Sequence, residues 1–363
     1  MQLKVTQENL TKALNLVAKV ASSRATLPVL SNVLLQIENN RLRLAATNLD
    51  IAITNFIGAQ VQKPGSITVP ARLFQDLIAG LPGGVIELEQ DDQRLKITTE
   101  RFNSVINGIS SEDFPTMPEI ENGKTWSIMG QDLKLGLQQV LLAASNDNSR
   151  PVLTGVYFHT HKGELYIAST DSYRLAEKML CSTKQEIKLL IPASALQDVL
   201  RIVNDYDGEV GVVHDDQQVK FQVGDVELVA RLIEGNYPDY KKLIPTSFET
   251  TATLDKAELQ NIIKVTSLFA RESSGSVVIS VDQPSGSIWI RAVASQLGEN
   301  NATAKVVATG NGSITLNSRF IIEALSVIPG KEIKICFNGK LEPAMICDPA
   351  KNDYIHIIMP LKS

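Results

Sequence analysis

The chain has 363 residues, 44% of them hydrophobic and 21% charged, with a formal net charge of -5. That composition is globular throughout, leaves nothing for a disordered tail, and at roughly 100–200 residues per domain allows two or three domains. A net negative surface repels a polyanion, which argues against ordinary adhesive nucleic-acid binding.

The opening MQLKVTQENL has neither the basic start nor the apolar run of a signal peptide. No stretch approaches the ~18 apolar residues of a membrane span, so a cytosolic protein without a membrane partner is expected. LKV predicts a strand, and Leu10, Leu14, Val17 and Ala21 at helical spacing predict an amphipathic helix behind it. VLLQIENNRLRLAATN alternates, predicting a hairpin that turns at Glu38-Asn39-Asn40. A second helix is expected beyond Pro70 in VPARLFQDL, and VIELEQDDQRLKITT predicts another hairpin, turning at Asp91-Asp92. Phe114-Pro115 closes the stretch, where proline is expected to end a strand. The Pro- and polar-rich PEIENGKTW, Pro118 to Trp126, reads as a connection.

From there the pattern starts again. Ile128, Leu133, Leu137, Val140 and Ala144 stand 123 positions after Val5, Leu10, Leu14, Val17 and Ala21. LYIASTDSY from Leu165 follows LRLAATNLD from Leu42 at the same offset, IPASALQDVL around Pro192 answers VPARLFQDL, and Asp215-Asp216 repeats the hairpin signal. A third copy follows DYKKLIPTSFETT, Asp239 to Thr251. In it Leu254, Leu259, Ile263 and Ala270 lie a further 126 positions on, and LNSRFIIEAL carries the second helix. Asp76, Asp198 and Glu323 hold equivalent places on the second helices, and Phe114-Pro115, Tyr237-Pro238 and Met359-Pro360 end the copies.

Self-similarity at a fixed period is the mark of a repeat architecture. The expected fold is α+β, with three repeated domains, 1–120, 121–245 and 246–363, each with two helices packed on one face of antiparallel sheet. Three such repeats in series, with free strand edges at both ends, suggest an arc whose matching ends close by symmetry.

Signatures of catalysis are missing. Gly330-Lys331 is followed by Glu332, so no phosphate-cradling loop is formed and an NTPase is not expected. His159 and His161 share a strand face, but no third ligand completes a metal site, and both are expected to face solvent ahead of the HKGE turn. Asp171 in STDSYRLA reads as a turn residue bonding its own backbone rather than as a general base. Cys181, Cys336 and Cys347 fit neither a disulfide framework nor a C-x-x-C motif and are expected to be reduced and mostly buried. No catalytic residue, metal or cofactor follows, and the chain does not read as an enzyme.

The helices carry positive charge instead. Lys12, Asn15 and Lys19 lie opposite the first apolar stripe, and Lys256, Gln260, Lys264 and Arg271 answer them in the third copy. Arg24, Arg72, Lys134, Arg150, Arg201 and Arg319 lie in or beside the other helices. For any one of them a solvated helix face is the plain reading. Collectively they offer phosphates a sequence-independent, salt-sensitive lining.

SSRATLPVLSNVLL, VPARLFQDL, STDSYRLA, EGNYPDYKKLIP and the terminal HIIMPL resemble, in order and over the full length, the bacterial DNA polymerase III β subunits, the sliding clamps. The resemblance implies a head-to-tail homodimer forming a six-domain ring, with helices lining the hole, that encircles double-stranded DNA and tethers polymerase. Retention by topology needs no adhesive affinity, which fits an acidic protein with a basic inner lining.

The resemblance also implies a pocket for a short peptide carried by the DNA polymerase III alpha subunit, the clamp loader delta subunit, and other DNA polymerases and repair proteins. Its walls would be Leu153, Thr170, Ser172, Tyr173, Arg174, Leu175, Pro238, Lys242 and Leu243, with Asn317, Phe320, Leu341, Pro343, Ile357, Met359, Pro360 and Leu361 from the C-terminal part. Apolar walls bury a partner's Leu and Phe anchors, and Met359 suits repacking around varied sequences. DNA-contacting positions map onto Arg24, Arg72 and Arg150, and the dimer seam onto Ser104 and Ile106 against Leu268 and Phe269. The chain departs from the family pattern at Ala193-Ser194, where many relatives carry a basic residue. It departs again at Pro151 and Val152, where aromatic residues often stand, and at Ser104, in the place of a Phe. These departures motivate a second reading, a clamp-fold interaction scaffold that does not encircle DNA.

Overall fold

A computed structural model describes residues 1–21, 27–296 and 298–361. Among the described residues there are six α-helices: α1 (Gln7–Val17), α2 (Ala71–Gly80), α3 (Gly130–Val140), α4 (Ala193–Ile202), α5 (Lys256–Thr266) and α6 (Ser318–Val327). Three of them begin at a side-chain cap. Thr6, Asp255 and Asn317 accept from the N–H groups of Asn9, Glu258 and Arg319 at 3.4, 2.8 and 2.9 Å, satisfying donors that a helix start leaves orphaned. The buried faces carry the predicted Leu10, Leu14 and Val17 in α1, joined by Ala13, and Leu259 and Ile263 in α5.

The stripes run on past the helices, however. After α1, α3 and α5 the backbone tightens to three-residue hydrogen bonds, such as Val20 N–H to Val17 O and Ala144 N–H to Leu141 O. That turn is too tight to continue a 3.6-residue period. Ala21, Ala144 and Ala270 therefore lie beyond the helices, as do Lys19 and Arg271.

The first hairpin joins Asn32–Glu38 to Arg41–Thr47 through Asn39 and Asn40, with φ of 48° and 60°. Two successive left-handed residues are what a two-residue hairpin turn requires, and asparagine tolerates them. Pro115 and Pro238 lie in loops rather than at strand ends; of the three closing prolines, Pro360 alone stands just behind a strand, Tyr354–Ile358.

The chain forms two compact units. The first, Met1–Lys134 with Ser194–Leu232, holds two antiparallel sheets. Five strands run in the order Gln60–Lys63, Gln2–Thr6, Val85–Asp91, Arg94–Thr98, Asn103–Asn107. Eight run in the order Lys124–Met129, Glu209–His214, Gln218–Val223, Val226–Arg231, Ile51–Gly58, Arg41–Thr47, Asn32–Glu38, Ser66–Pro70. α1 packs on α2 and on the strands Arg41–Thr47 and Ile51–Gly58.

The second unit, Leu135–Ala193 with Ile233–Ser363, also holds two. A nine-stranded sheet runs Lys188–Pro192, Gly155–His161, Glu164–Thr170, Arg174–Ser182, Tyr354–Ile358, Ala344–Cys347, Glu332–Phe337, Thr250–Asp255, Val307–Thr309. A four-stranded sheet runs Gly298–Lys305, Ser287–Ala294, Ser276–Asp282, Gly312–Asn317. The middle repeat thus gives four strands to each large sheet. It joins the first repeat where Val229 faces Ala52 and the third where Ile357 faces Leu175.

No disulfide joins the cysteines among the described residues, and only Cys336 is buried; Cys181 and Cys347 are half-buried near strand ends. Among the described residues no helix is long and apolar enough to cross a membrane, and no group of His, Cys, Asp and Glu is placed to hold a metal.

Candidate functional site

In the second unit, strand Glu164–Thr170 turns into Arg174–Ser182 through a loop built by its own side chains. Thr170 Oγ1 donates to Arg174 O at 2.6 Å and accepts from Ser172 N–H at 3.1 Å, while Asp171 Oδ1 accepts from the N–H groups of Tyr173 and Arg174 at 2.9 and 3.0 Å. Ser172 takes a φ of 78°. Asp171 is the turn residue its context predicts.

The same loop presents Arg174, which is 7% exposed and held in three ways. Its Nε donates to Asp171 Oδ2 at 3.0 Å, a terminal nitrogen donates to the Glu323 carboxylate on α6, and the guanidinium lies 4.5 Å from the centre of the Phe320 ring. Arg319 Nε adds a 2.7 Å bond to Glu323. Burial by itself raises the pKa of Glu323, but hydrogen bonds from Arg174 and Arg319 outweigh it and hold the carboxyl below its ordinary value. A charge is retained in such a place only when it is paired and bonded. Asp171, Arg174, Arg319 and Phe320, with Arg150, Tyr173 and residues 144–147, wall a groove of about 350 Å³. Arg150, expected at DNA, thus lies in this groove, its guanidinium 3.1 Å from Ser172 Oγ.

Beside the groove is a buried cluster of Ala168, Leu175, Tyr240 and Ile357, with Tyr157, Tyr237, Ile244 and Met345 packed against it. Leu175 and Ile357 are core residues, 2% and 1% exposed. Met359 N–H bonds Tyr173 O and Leu361 N–H bonds Thr315 O, both at 2.9 Å, which lays the half-buried Met359-Pro360-Leu361 segment along the loop. Asn317 is committed to capping α6, its amide donating to Ser274 O at 3.1 Å. Leu153 is buried and Pro343 half-buried, whereas Pro238, Lys242, Leu243 and Leu341 are exposed, Lys242 pairing with Asp239 at 2.9 Å.

His159 corrects the expectation of a solvent-facing pair. It is 9% exposed, its Nε2 lies 2.6 Å from the Tyr240 hydroxyl, and Tyr240 in turn donates to the Glu177 carboxylate. Its ring stacks between Tyr157 and Tyr166, with centres 4.9 and 5.7 Å away. Burial first, then the charge of Lys241, holds its pKa down to about 4. The turn Tyr240–Leu243 covers this strand face, a contact 81 positions distant that alternation in the strand does not reveal. His161, at the strand end, is exposed. Sequence reasoning missed Glu323 and Glu177 as partners; for Glu323 the signal was its equivalence with Asp76 and Asp198.

Of the cations read for DNA, Arg24 lies outside the described residues. Arg72 on α2, Lys264 on α5, and Lys19 and Arg271 beyond helix ends are exposed, and their side chains make no hydrogen bond or ion pair among the described residues. Others are engaged within the chain: Lys12 with Glu8 at 2.8 Å, Lys134 with Asn204 O at 2.7 Å, Arg201 with Asp198, and Lys256 with Ile328 O at 2.7 Å.

Two sheet edges bear on the predicted seam. Among the described residues, strand Asn103–Asn107 pairs only with Arg94–Thr98, and Gly298–Lys305 only with Ser287–Ala294. On the first, Ile106 is buried and Ser104 half-buried, while Val105 and the adjacent Phe102 are exposed. Leu268 is 51% exposed and Phe269 half-buried just past α5, which Thr266 Oγ1 ties to Asn300 of the edge strand at 2.8 Å.

Family models for the DNA polymerase III beta subunit match the chain in three stretches, the N-terminal domain at residues 1–118, the central domain at 127–239 and the C-terminal domain at 241–362. The beta sliding clamp of Synechocystis is 32% identical, over 100% of this chain and 99% of its own, and that of Bacillus subtilis 29%, over all of both. Among solved structures, a sliding clamp from Pseudomonas aeruginosa bound to griselimycin aligns over the whole of both chains with a TM-score of 0.95 at 26% identity. The Bacillus subtilis clamp aligns over 100% of this chain and 99% of its own, with the same TM-score at 28% identity. The chain belongs to the DNA polymerase III β-subunit family, the sliding clamps that serve as processivity factors in DNA replication. A match through all three domains does not favour the reading as a scaffold that leaves DNA alone.

Proposed function

We propose that two copies of the protein join head to tail through the Asn103–Asn107 edge of one and the Gly298–Lys305 edge of the other, close around double-stranded DNA, and slide. The exposed Val105, Phe102 and Leu268 beside those unpaired edges support the reading, since bare edges invite pairing with another chain. Arg72 and Lys264, whose side chains have no partners among the described residues, face the phosphates, with Arg24 as a further contact. The protein works by retention rather than catalysis, in the cytoplasm where the chromosome is copied.

The groove beside Arg174 takes the clamp-binding peptide of the polymerase alpha subunit, of the clamp loader's delta subunit, and of other polymerases and repair proteins. The observation that carries this is the fixed wall, Arg174 held by Asp171, Glu323 and Phe320 next to the Leu175–Ile357 floor. A wall already in place loses little freedom when a peptide arrives.

The test is to load the protein onto nicked circular DNA with a clamp loader, isolate the complex, and cut the circle once. Loss on linearisation is the expected result. Retention on linear DNA would mean adhesive binding and would defeat the encirclement.

A further inference from the structure

The first unit contains a second groove on the same backbone plan. Thr47 Oγ1 donates to Ile51 O and accepts from Leu49 N–H, both at 3.0 Å, and Asn48 Oδ1 accepts from the N–H groups of Asp50 and Ile51 at 3.1 and 2.8 Å. Leu49 has a φ of 77°, one degree from that of Ser172. The neighbouring strand docks alike: Arg231 N–H bonds Asp50 O at 3.0 Å, as Met359 N–H bonds Tyr173 O at 2.9 Å. By these bonds and the strand registers, Asp50, Ala52, Val229 and Arg231 stand where the other groove has Tyr173, Leu175, Ile357 and Met359.

This groove encloses about 140 Å³ and carries Asp50 and Arg231 at the places where its counterpart has Tyr173 and Met359. Arg231 and Asp50 both line it, are exposed, and make no side-chain hydrogen bond or ion pair among the described residues. Gln218 lines it as well, and its Oε1 is shut off from solvent without a hydrogen-bond partner. An unpaired buried acceptor is costly, and an entering N–H group would relieve it. An unpaired guanidinium matches a carboxylate in shape and charge.

We propose that this groove is a second peptide site, for an extended segment of a partner protein that carries one acidic side chain. The carboxylate pairs with Arg231, a backbone N–H of the segment bonds Gln218 Oε1, and Leu49, 48% exposed, covers an apolar neighbour. Asp50 repels a second adjacent acid. The choice of a peptide over a free carboxylate rests on the peptide reading of the counterpart groove.

The test uses the full chain, methyl-labelled at Ala, Ile, Leu and Val, titrated with the peptide Ac-Ala-Glu-Leu-Ala-NH2, its Gln counterpart, and N-acetylglutamate. Ala52, Leu49 and Val229 report this groove; Leu175 and Ile357 report the other, probed separately with a Gln-x-Leu-x-Leu-Phe peptide. The expected result is that the Glu peptide shifts the first set and binds about fivefold more tightly than the Gln peptide. Arg231→Met should abolish that preference with the rest of the spectrum unchanged, and Gln218→Leu should weaken both peptides alike. No shift at millimolar peptide, or equal affinity for the Glu and Gln peptides, would overturn the proposal. N-acetylglutamate binding as well as the peptide would also overturn it, in favour of small carboxylates. Failure of the counterpart reading would appear instead as silence of Leu175 and Ile357 toward the Leu-Phe peptide.

Discussion

The two loops at 47–51 and 170–174 share a backbone and differ in almost everything laid over it. Both are made by a threonine and an Asn or Asp that bond the turn, with a left-handed residue third. The fifth position is Ile51 in one and Arg174 in the other, one a buried apolar side chain and the other paired with Asp171 and Glu323. Beneath, Leu34, Phe114 and Ala45, with Met117 beside them, form an apolar cluster in the first unit, where the second has Tyr157, Tyr237, Ala168 and Tyr240 around His159. The residues that repeat are those that bend the chain; those free to vary decide what the surface can hold.

The sharpest way to break this contrast is to give both fifth positions the same side chain. Arg174→Met should destabilise the second unit by about 3–5 kcal/mol, because it leaves Asp171 without its cation and Glu323 with Arg319 alone. Ile51→Met should cost less than about 1.5 kcal/mol. Hydrogen exchange of Arg174–Ser182 and Ile51–Gly58 reads the two separately, and equal losses would mean that the ion pair adds nothing.

Acid should separate the units next. Burial holds His159 down to about 4 and His356 down to about 3, from an ordinary 6.5. The unfolded chain therefore takes up protons before the fold does, so stability is whole above pH 6.5 and drains as pH falls toward 4. By pH 4 the loss per histidine is about 3 kcal/mol. Both residues are in the second unit, against His214 alone, also held down by burial, in the first, so the second should lose exchange protection first; His356→Leu should flatten the pH dependence, and unchanged slopes would refute the assignment.

Met359→Ala should weaken a Gln-x-Leu-x-Leu-Phe peptide by about 1–3 kcal/mol, whereas Arg231→Ala at the equivalent place should leave that peptide alone. A calorimetric titration distinguishes them. Smallest of all, Thr47→Val and Thr170→Val should each cost about 1 kcal/mol, the worth of the hydroxyl's bonds. A marked difference in denaturant midpoint shift between them would show the loops to be less alike than their bonds imply.

Much of this was legible in the residues. Offsets of 123 and 126 positions located the helices and hairpins, because periodicity is a local property. Strand partnership is not: nothing in IAITNF or VELVAR says that Ala52 will face Val229. For the same reason Arg174 could be flagged from STDSYRLA, while its partner Glu323, 149 positions away, could not be joined to it. His159 was misjudged because its cover comes from a distant turn. Arg150 was placed by resemblance at DNA, and only the fold brings it to Ser172.

The sharing of strands between repeats also sets a timetable for synthesis. Strand Ile51–Gly58 has its outer neighbour in Val226–Arg231, so on the ribosome its edge stands open until that later segment emerges. At ~5–20 residues per second the wait is roughly ten to thirty seconds. The nascent first repeat is therefore in need of a chaperone, as is strand Arg174–Ser182 until Tyr354–Ile358 emerges, and slow translation would lengthen the exposure rather than help either fold.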